Sequence, residues 1–157
     1  MLYDNNGFNP SEWGPYFWSF IHFQSMNSGS ELWFYYLVQI LPCKSCRDHM
    51  KVHMDEIDRS DHFSMLSYTV ALHDRVSTNC HCQSPVNFHD TSAVVFTYLA
   101  LNYHIDRDDS YRHFFACIGV TIPESTDRLD WVRWVITQYP VGYDNVDALV
   151  TAFRKNK

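Results

Sequence analysis

Cys43 and Cys46 are separated only by Lys44 and Ser45, and two thiols three residues apart can close one small disulfide. On a helix, positions i and i+3 share a face, so a pair in a first turn points both sulfurs the same way while the helix N-terminus stabilises a thiolate. Pro42 predicts that placement, because its fixed φ and missing N–H suit the first helical position. The tetrad admits three chemistries: redox exchange, a pair of zinc thiolates, or two buried sulfurs packing as small hydrophobes. Haem attachment is excluded, since Arg47 stands where a C-x-x-C-H motif needs its histidine. A thioredoxin-like setting is also disfavoured, because it needs βαβ units and the flanks read as helices.

The chain of 157 residues suits one domain, or one domain with a helical extension. Twelve basic against 18 acidic residues give a formal charge of −6, and no Lys/Arg-rich block occurs, which argues against nucleic acid as a partner. Aromatic residues make up 17%, enough to line a stacking pocket for a planar cofactor, although large rings also simply fill cores. No apolar run approaches the ~20 residues of a membrane span. Met1-Leu2-Tyr3-Asp4-Asn5 has neither a basic start nor an apolar core, so no secretory signal is read. Five cysteines without such a signal suggest metal or catalytic use more than a secreted scaffold.

The elements that must position the pair read as helices almost throughout. Asn9-Pro10-Ser11-Glu12 opens the first, with Trp13, Phe17, Phe20 and Ile21 at helical spacing up to about Met26. Ser30 caps a second, Glu31 to Ile40, carrying Leu32, Tyr35, Tyr36 and Gln39 on neighbouring turns. The cysteine helix follows to about Ile57. Ser60-Asp61 predicts the cap of a fourth, with a stripe of Phe63, Leu66, Val70 and His73. Beyond Gln83-Ser84-Pro85 the pattern predicts helices over Thr91 to Tyr103 and Tyr111 to Ile118, separated by a solvated acidic loop, Asp106 to Asp109. Two more follow, with stripes of Leu129, Val132, Ile136 and Tyr139, and of Val146, Leu149, Val150 and Phe153. The expected class is therefore all-α, a four-helix bundle over residues 9–88 with a helical extension over 89–157 whose default role is packing or self-association. Cys117, between Ala116 and Ile118, reads as a buried thiol.

On the first helix Trp18 and His22 stand at i and i+4, an indole beside an imidazole on one face. Alone, such a pair reads as core and boundary residues. Yet Trp13-Gly14-x-x-x-Trp18-x-x-x-His22, Cys43-x-x-Cys46-x-x-His49 and Leu72-His73-x-x-Val76 occur in this order, each on a predicted helix. Together they resemble the Erv/ALR family of FAD-dependent sulfhydryl oxidases, over about residues 12 to 77. The Trp-Gly-Pro opening and the C-x-x-C-x-x-H form are most similar to the versions found in large DNA viruses and in quiescin-type enzymes.

The resemblance implies a four-helix bundle holding FAD at its mouth, usually as a homodimer. Carried over position by position, Trp18, His22 and His73 would contact the flavin nucleotide, and Gly14 would allow close backbone approach. His49, Asp74, Val76 and Ser77 join the cofactor-binding set. Cys46 would lie nearest the flavin and form the charge-transfer thiolate, while Cys43 would exchange with the incoming dithiol. Electrons would pass from protein dithiols through the pair to FAD and then to molecular oxygen, giving hydrogen peroxide. The implied setting is host cytoplasm or virion.

The chain departs from the family at several places. His73-Asp74-Arg75-Val76-Ser77 stands where the family commonly has His-Asn-x-Val-Asn, so a carboxylate beside the FAD phosphates calls for compensation by Arg75 or another cation. Leu41 replaces the usual aromatic residue before the proline, and Val70 replaces a cysteine, which removes one expected structural disulfide. Cys80-His81-Cys82 reads as a mobile shuttle dithiol, as inert thiols, or as half of a zinc site with Cys43 and Cys46, or with His73 and His89. The alternative to an oxidase is thus a structural zinc-binding interaction module stapled by Cys43, Cys46, Cys80 and Cys82.

Overall fold

Pro10 opens helix α1 (Pro10–Ser25), at a position where a backbone N–H would have no helical partner. Its Trp13, Phe17, Phe20 and Ile21 are buried along one face, the stripe expected from the sequence. The computed structural model describes residues 10–27, 30–76, 88–101, 108–122 and 134. Within them α1 is followed by α2 (Leu32–Gln39), α3 (Lys44–Glu56), α4 (Met65–Val76), α5 (Phe88–Leu101) and α6 (Asp108–Cys117). No strand occurs among the described residues, and the chain is all-α there.

Helix α2 presents a different face to the core than the spacing suggested. Trp33, Phe34, Leu37 and Val38 are buried, whereas Leu32 and Tyr35 are exposed. A run of Leu-Trp-Phe-Tyr-Tyr-Leu-Val has no polar side to fix its rotation, and tyrosine hydroxyls sit best at a boundary. Tyr36 and Gln39 instead meet α6. The Tyr36 ring stacks on His113 with centroids 4.9 Å apart, and Ser110 Oγ donates to Gln39 Oε1 at 3.1 Å.

Two helix starts also differ from expectation. Pro42 lies outside α3, whose N-cap is Cys43 in an extended conformation (φ −131°, ψ 123°). Ser60 and Asp61 do not cap α4. They belong to a short 3-10 turn, Arg59–Asp61, because Asp58 Oδ1 accepts from Ser60 N at 2.9 Å and so satisfies the backbone locally. Ser64 takes the cap instead, its hydroxyl accepting from Ser67 N at 3.0 Å. Helix α4 therefore buries Met65, Tyr68, Thr69 and Leu72, an equally periodic set, and leaves Phe63 95% exposed ahead of it. The 3-10 turn is tied to the start of α2 by Arg59, which donates to both carboxylate oxygens of Glu31 at 3.0 and 2.7 Å.

Helices α5 and α6 begin about three residues earlier than predicted, so that Asp108 and Asp109 open α6, where acidic side chains suit the helix N-terminus, rather than ending a loop. The two last predicted helices fall outside the described residues except for Trp134, which is helical. Helix α1 packs against α4 and α5, α2 against α3 and α6, and α3 against α4. One core runs through both halves of the sequence. Phe20 of α1 meets Trp33, Phe96 and Phe114 at centroid distances of 6.3, 5.7 and 6.1 Å, and Tyr111 Oη donates to the Leu99 carbonyl at 2.9 Å. No helix among the described residues is long and apolar enough to cross a membrane.

Candidate functional site

The dithiol sits where α2 hands the chain to α3. As N-cap, Cys43 does with sulfur what serine does with oxygen: its Sγ accepts from the backbone N–H of Cys46, at 3.3 Å. Cys43 Sγ and Ser45 Oγ share a second hydrogen bond at 3.1 Å. Both cysteines are free thiols, Cys43 buried and Cys46 half-buried. Arg47 is buried behind them, only 4% exposed, and its guanidinium donates to the Leu41 carbonyl at 2.5 Å. His49 lies on the exposed side of α3.

A second cluster fills the seam between α1 and α4. Trp18 stacks on His73 with centroids 4.4 Å apart and planes 11° from parallel, and His22 lies 5.1 Å from His73 and 5.9 Å from Trp18. At 4.4 Å the Trp18–His73 stack is closed, so a further planar ring would meet its outer faces rather than a slot between them. The seam is held by hydroxyls: Thr69 Oγ1 shares its one proton between Ser25 Oγ at 3.2 Å and the Leu66 carbonyl at 3.1 Å, and Ser25 Oγ donates to the Ile21 carbonyl at 2.6 Å. Ser25 opposite Thr69 and Trp18 opposite His73 make the two helices antiparallel here.

Both imidazoles are shifted toward the neutral form. Burial lowers His22 below the ordinary histidine value and the neighbouring His73 lowers it further, while the Thr69 backbone and the Asp74 carboxylate pull the other way. Burial likewise lowers His73, opposed by Asp74. Among the described residues His22 Nε2 is buried without a hydrogen-bond partner, an atom that a ligand could satisfy. Gly14 is half-buried on α1, and a Cβ built there would meet no atom of the described residues within 4 Å, so packing among them does not require glycine at this position.

Asp74 and Val76 are exposed at the end of α4. Arg75, one of the cations that could offset Asp74, is paired with Glu56 at the end of α3 and so braces α3 to α4. Ser77, Cys80, Cys82 and His89 lie outside the described residues or side chains, and with them the shuttle and zinc readings. Among the described residues no group of three or more His, Cys, Asp or Glu side chains could hold a metal ion. Cys117 is half-buried, and burial raises its thiol above the ordinary value, which keeps it protonated.

The fold thus brings together Trp18, His22 and His73, and separately Cys43 with Cys46; α4 packs on the helices that carry each group. Sequence reasoning passed over Arg47, Ser25 and Thr69. For Arg47 a signal was present: Cys43, Arg47 and Met50 fall at i, i+4 and i+7, which puts a cation on the inner stripe of α3. No family model, curated protein or solved structure matches the chain. The likeness to sulfhydryl oxidases therefore stands on the ordered motifs themselves.

Proposed function

We propose that this chain is an FAD-dependent thiol oxidase that forms disulfide bonds in partner proteins, working as a four-helix bundle in a homodimer. The observation that carries the reading is the ring cluster of α1 and α4, where Trp18 and His73 offer a flat stacking face and His22 has a buried Nε2 with no partner among the described residues. Those are the groups a dinucleotide cofactor uses, and they come from motifs that in sequence flank the dithiol. FAD, when bound, supplies a two-electron acceptor that molecular oxygen regenerates with release of hydrogen peroxide. Trp18, His22 and His73 would hold it, with Gly14 giving room for close approach.

The protein's own chemistry is thiol–disulfide exchange. A substrate thiolate attacks one sulfur of the oxidised pair, the other sulfur leaves as a thiolate, and a second substrate thiol resolves the mixed disulfide, leaving Cys43 and Cys46 reduced. In the dithiol the N-cap geometry sets Cys43 beside Cys46, since its sulfur accepts from the Cys46 N–H. Neutral imidazoles in the ring cluster can donate or accept one hydrogen bond each without placing a buried charge beside the cofactor.

The test is the visible absorbance spectrum of the purified chain, followed by dithiothreitol under air with dissolved oxygen recorded. A flavin band that bleaches and returns as oxygen is consumed is the expected result. A featureless spectrum with stoichiometric zinc would replace the oxidase by the zinc-stapled module.

A further inference from the structure

Arg47 is the one formally charged side chain among the buried described residues. Burying a guanidinium is unfavourable unless its hydrogen bonds are well placed, and an apolar side chain of similar volume would ordinarily pack as well or better. Its position on α3 therefore asks for a reason beyond packing. The side chain reaches back over the helix start to the Leu41 carbonyl at 2.5 Å, while its backbone N–H donates to the Cys43 carbonyl at 3.0 Å. The backbone bond is the first of the α3 helix and any residue here would make it, so the guanidinium's own hold is on Leu41, just ahead of Pro42. Pro42 cannot donate, so the approach to Cys43 has no N–H of its own there to fix it.

We propose that Arg47 is the positioning residue of the dithiol: its side chain ties the Leu41 carbonyl to α3 and so sets the path through Pro42 on which the Cys43 sulfur stays over the first turn of α3, beside the Cys46 N–H. The inference rests on reading Cys43 and Cys46 as a redox pair and is independent of the flavin. Holding one sulfur against the other raises the effective concentration for ring closure, and so favours the disulfide over the open dithiol. Releasing the clamp should shift that balance toward the dithiol without changing either reacting group.

The experiment equilibrates the full chain with mixtures of reduced and oxidised glutathione, traps free thiols by alkylation, and reads the state of the Cys43–Cys46 peptide by mass spectrometry. In this exchange two glutathione thiols give up two electrons and two protons, glutathione disulfide forms, and the Cys43–Cys46 bond opens to two thiols. Arg47→Met should move the equilibrium about tenfold toward the dithiol, roughly 30 mV for a two-electron couple. Arg47→Lys, which keeps a cationic donor on a long stem, should recover part of the shift, and Arg47→Gln, with a shorter reach, less. A folded Arg47→Met protein with the wild-type equilibrium would overturn the inference. Should that variant not fold, wild-type equilibria in both Arg47→Lys and Arg47→Gln would overturn it equally. A wild-type chain that forms no Cys43–Cys46 disulfide in any glutathione mixture would remove the redox reading itself, and this inference with it; a disulfide that forms with the same potential in every variant removes Arg47 alone.

Discussion

Thr69 Oγ1 reaches Ser25 Oγ at 3.2 Å across the seam of α1 and α4, one turn from His22 on α1 and from His73 on α4. Both hydroxyls are buried, and the chain of bonds continues from Ser25 to the Ile21 carbonyl. A side chain–side chain bond between facing helices fixes their axial register, which apolar contacts alone specify weakly. Thr69→Val keeps the shape and removes the donor. It should lower stability by about 1 kcal/mol and loosen the stack, seen as a lower urea midpoint together with a changed His73 ring environment in NMR spectra. An unchanged midpoint and unchanged ring shifts would mean that apolar packing sets the register.

Acid should weaken the same seam. The folded chain holds His22 and His73 below the ordinary histidine value of 6.5, chiefly through burial, with His73 adding to the effect on His22 and Asp74 opposing it on both. The unfolded chain takes up protons near 6.5 while the folded chain resists them, so this stabilisation is complete above that pH and is lost as pH falls toward the lowered folded values. Urea midpoints of the wild type should fall between about pH 7 and pH 5, and the fall should be smaller in a His22→Gln, His73→Gln double variant. A constant difference between the two proteins over that range would show that other groups carry the pH dependence.

How much of this was legible in advance varied with how strongly local sequence constrained each element. The α1 stripe was readable because Trp13, Phe17, Phe20 and Ile21 alternate with residues that suit a surface or boundary. The rotation of α2 was not, because its run from Leu32 to Val38 is apolar all round, and only the meeting with α3 and α6 decides which rings turn inward. The start of α4 was hidden by competition among Asp58, Ser60 and Ser64, each able to satisfy nearby backbone N–H groups. For the site, motif spacing placed Trp18, His22 and His73 on two helices, and the fold brought their rings into contact. It gave no hint that Arg75 would turn to Glu56, a partner from another helix, rather than to its neighbour Asp74.

Cys46→Ser should abolish oxygen consumption with dithiothreitol, by more than a hundredfold, because neither exchange nor disulfide closure can proceed with one sulfur. The ring cluster lies on α1 and α4, so flavin should remain bound to the variant. Purification with the flavin spectrum intact and oxygen uptake at background is the expected result. Retained uptake would place the reacting pair elsewhere in the chain.

Phe114 tests whether the two halves of the chain share one core. Its side chain is fully buried, with centroids 6.1 Å from Phe20, 6.2 Å from Phe96 and 5.2 Å from Phe115. Phe114→Ala should cost about 3–5 kcal/mol through lost burial and the cavity left behind, a large part of the roughly 5–15 kcal/mol that holds a domain of this kind together. Because Phe20 belongs to α1 and Phe114 to α6, the loss should reach the first helix: amide exchange should accelerate in α1 and α6 together. Faster exchange confined to α5 and α6, with α1 as well protected as in the wild type, would instead make the C-terminal helices a separately unfolding layer laid against the helices that carry Trp18, His73 and the dithiol.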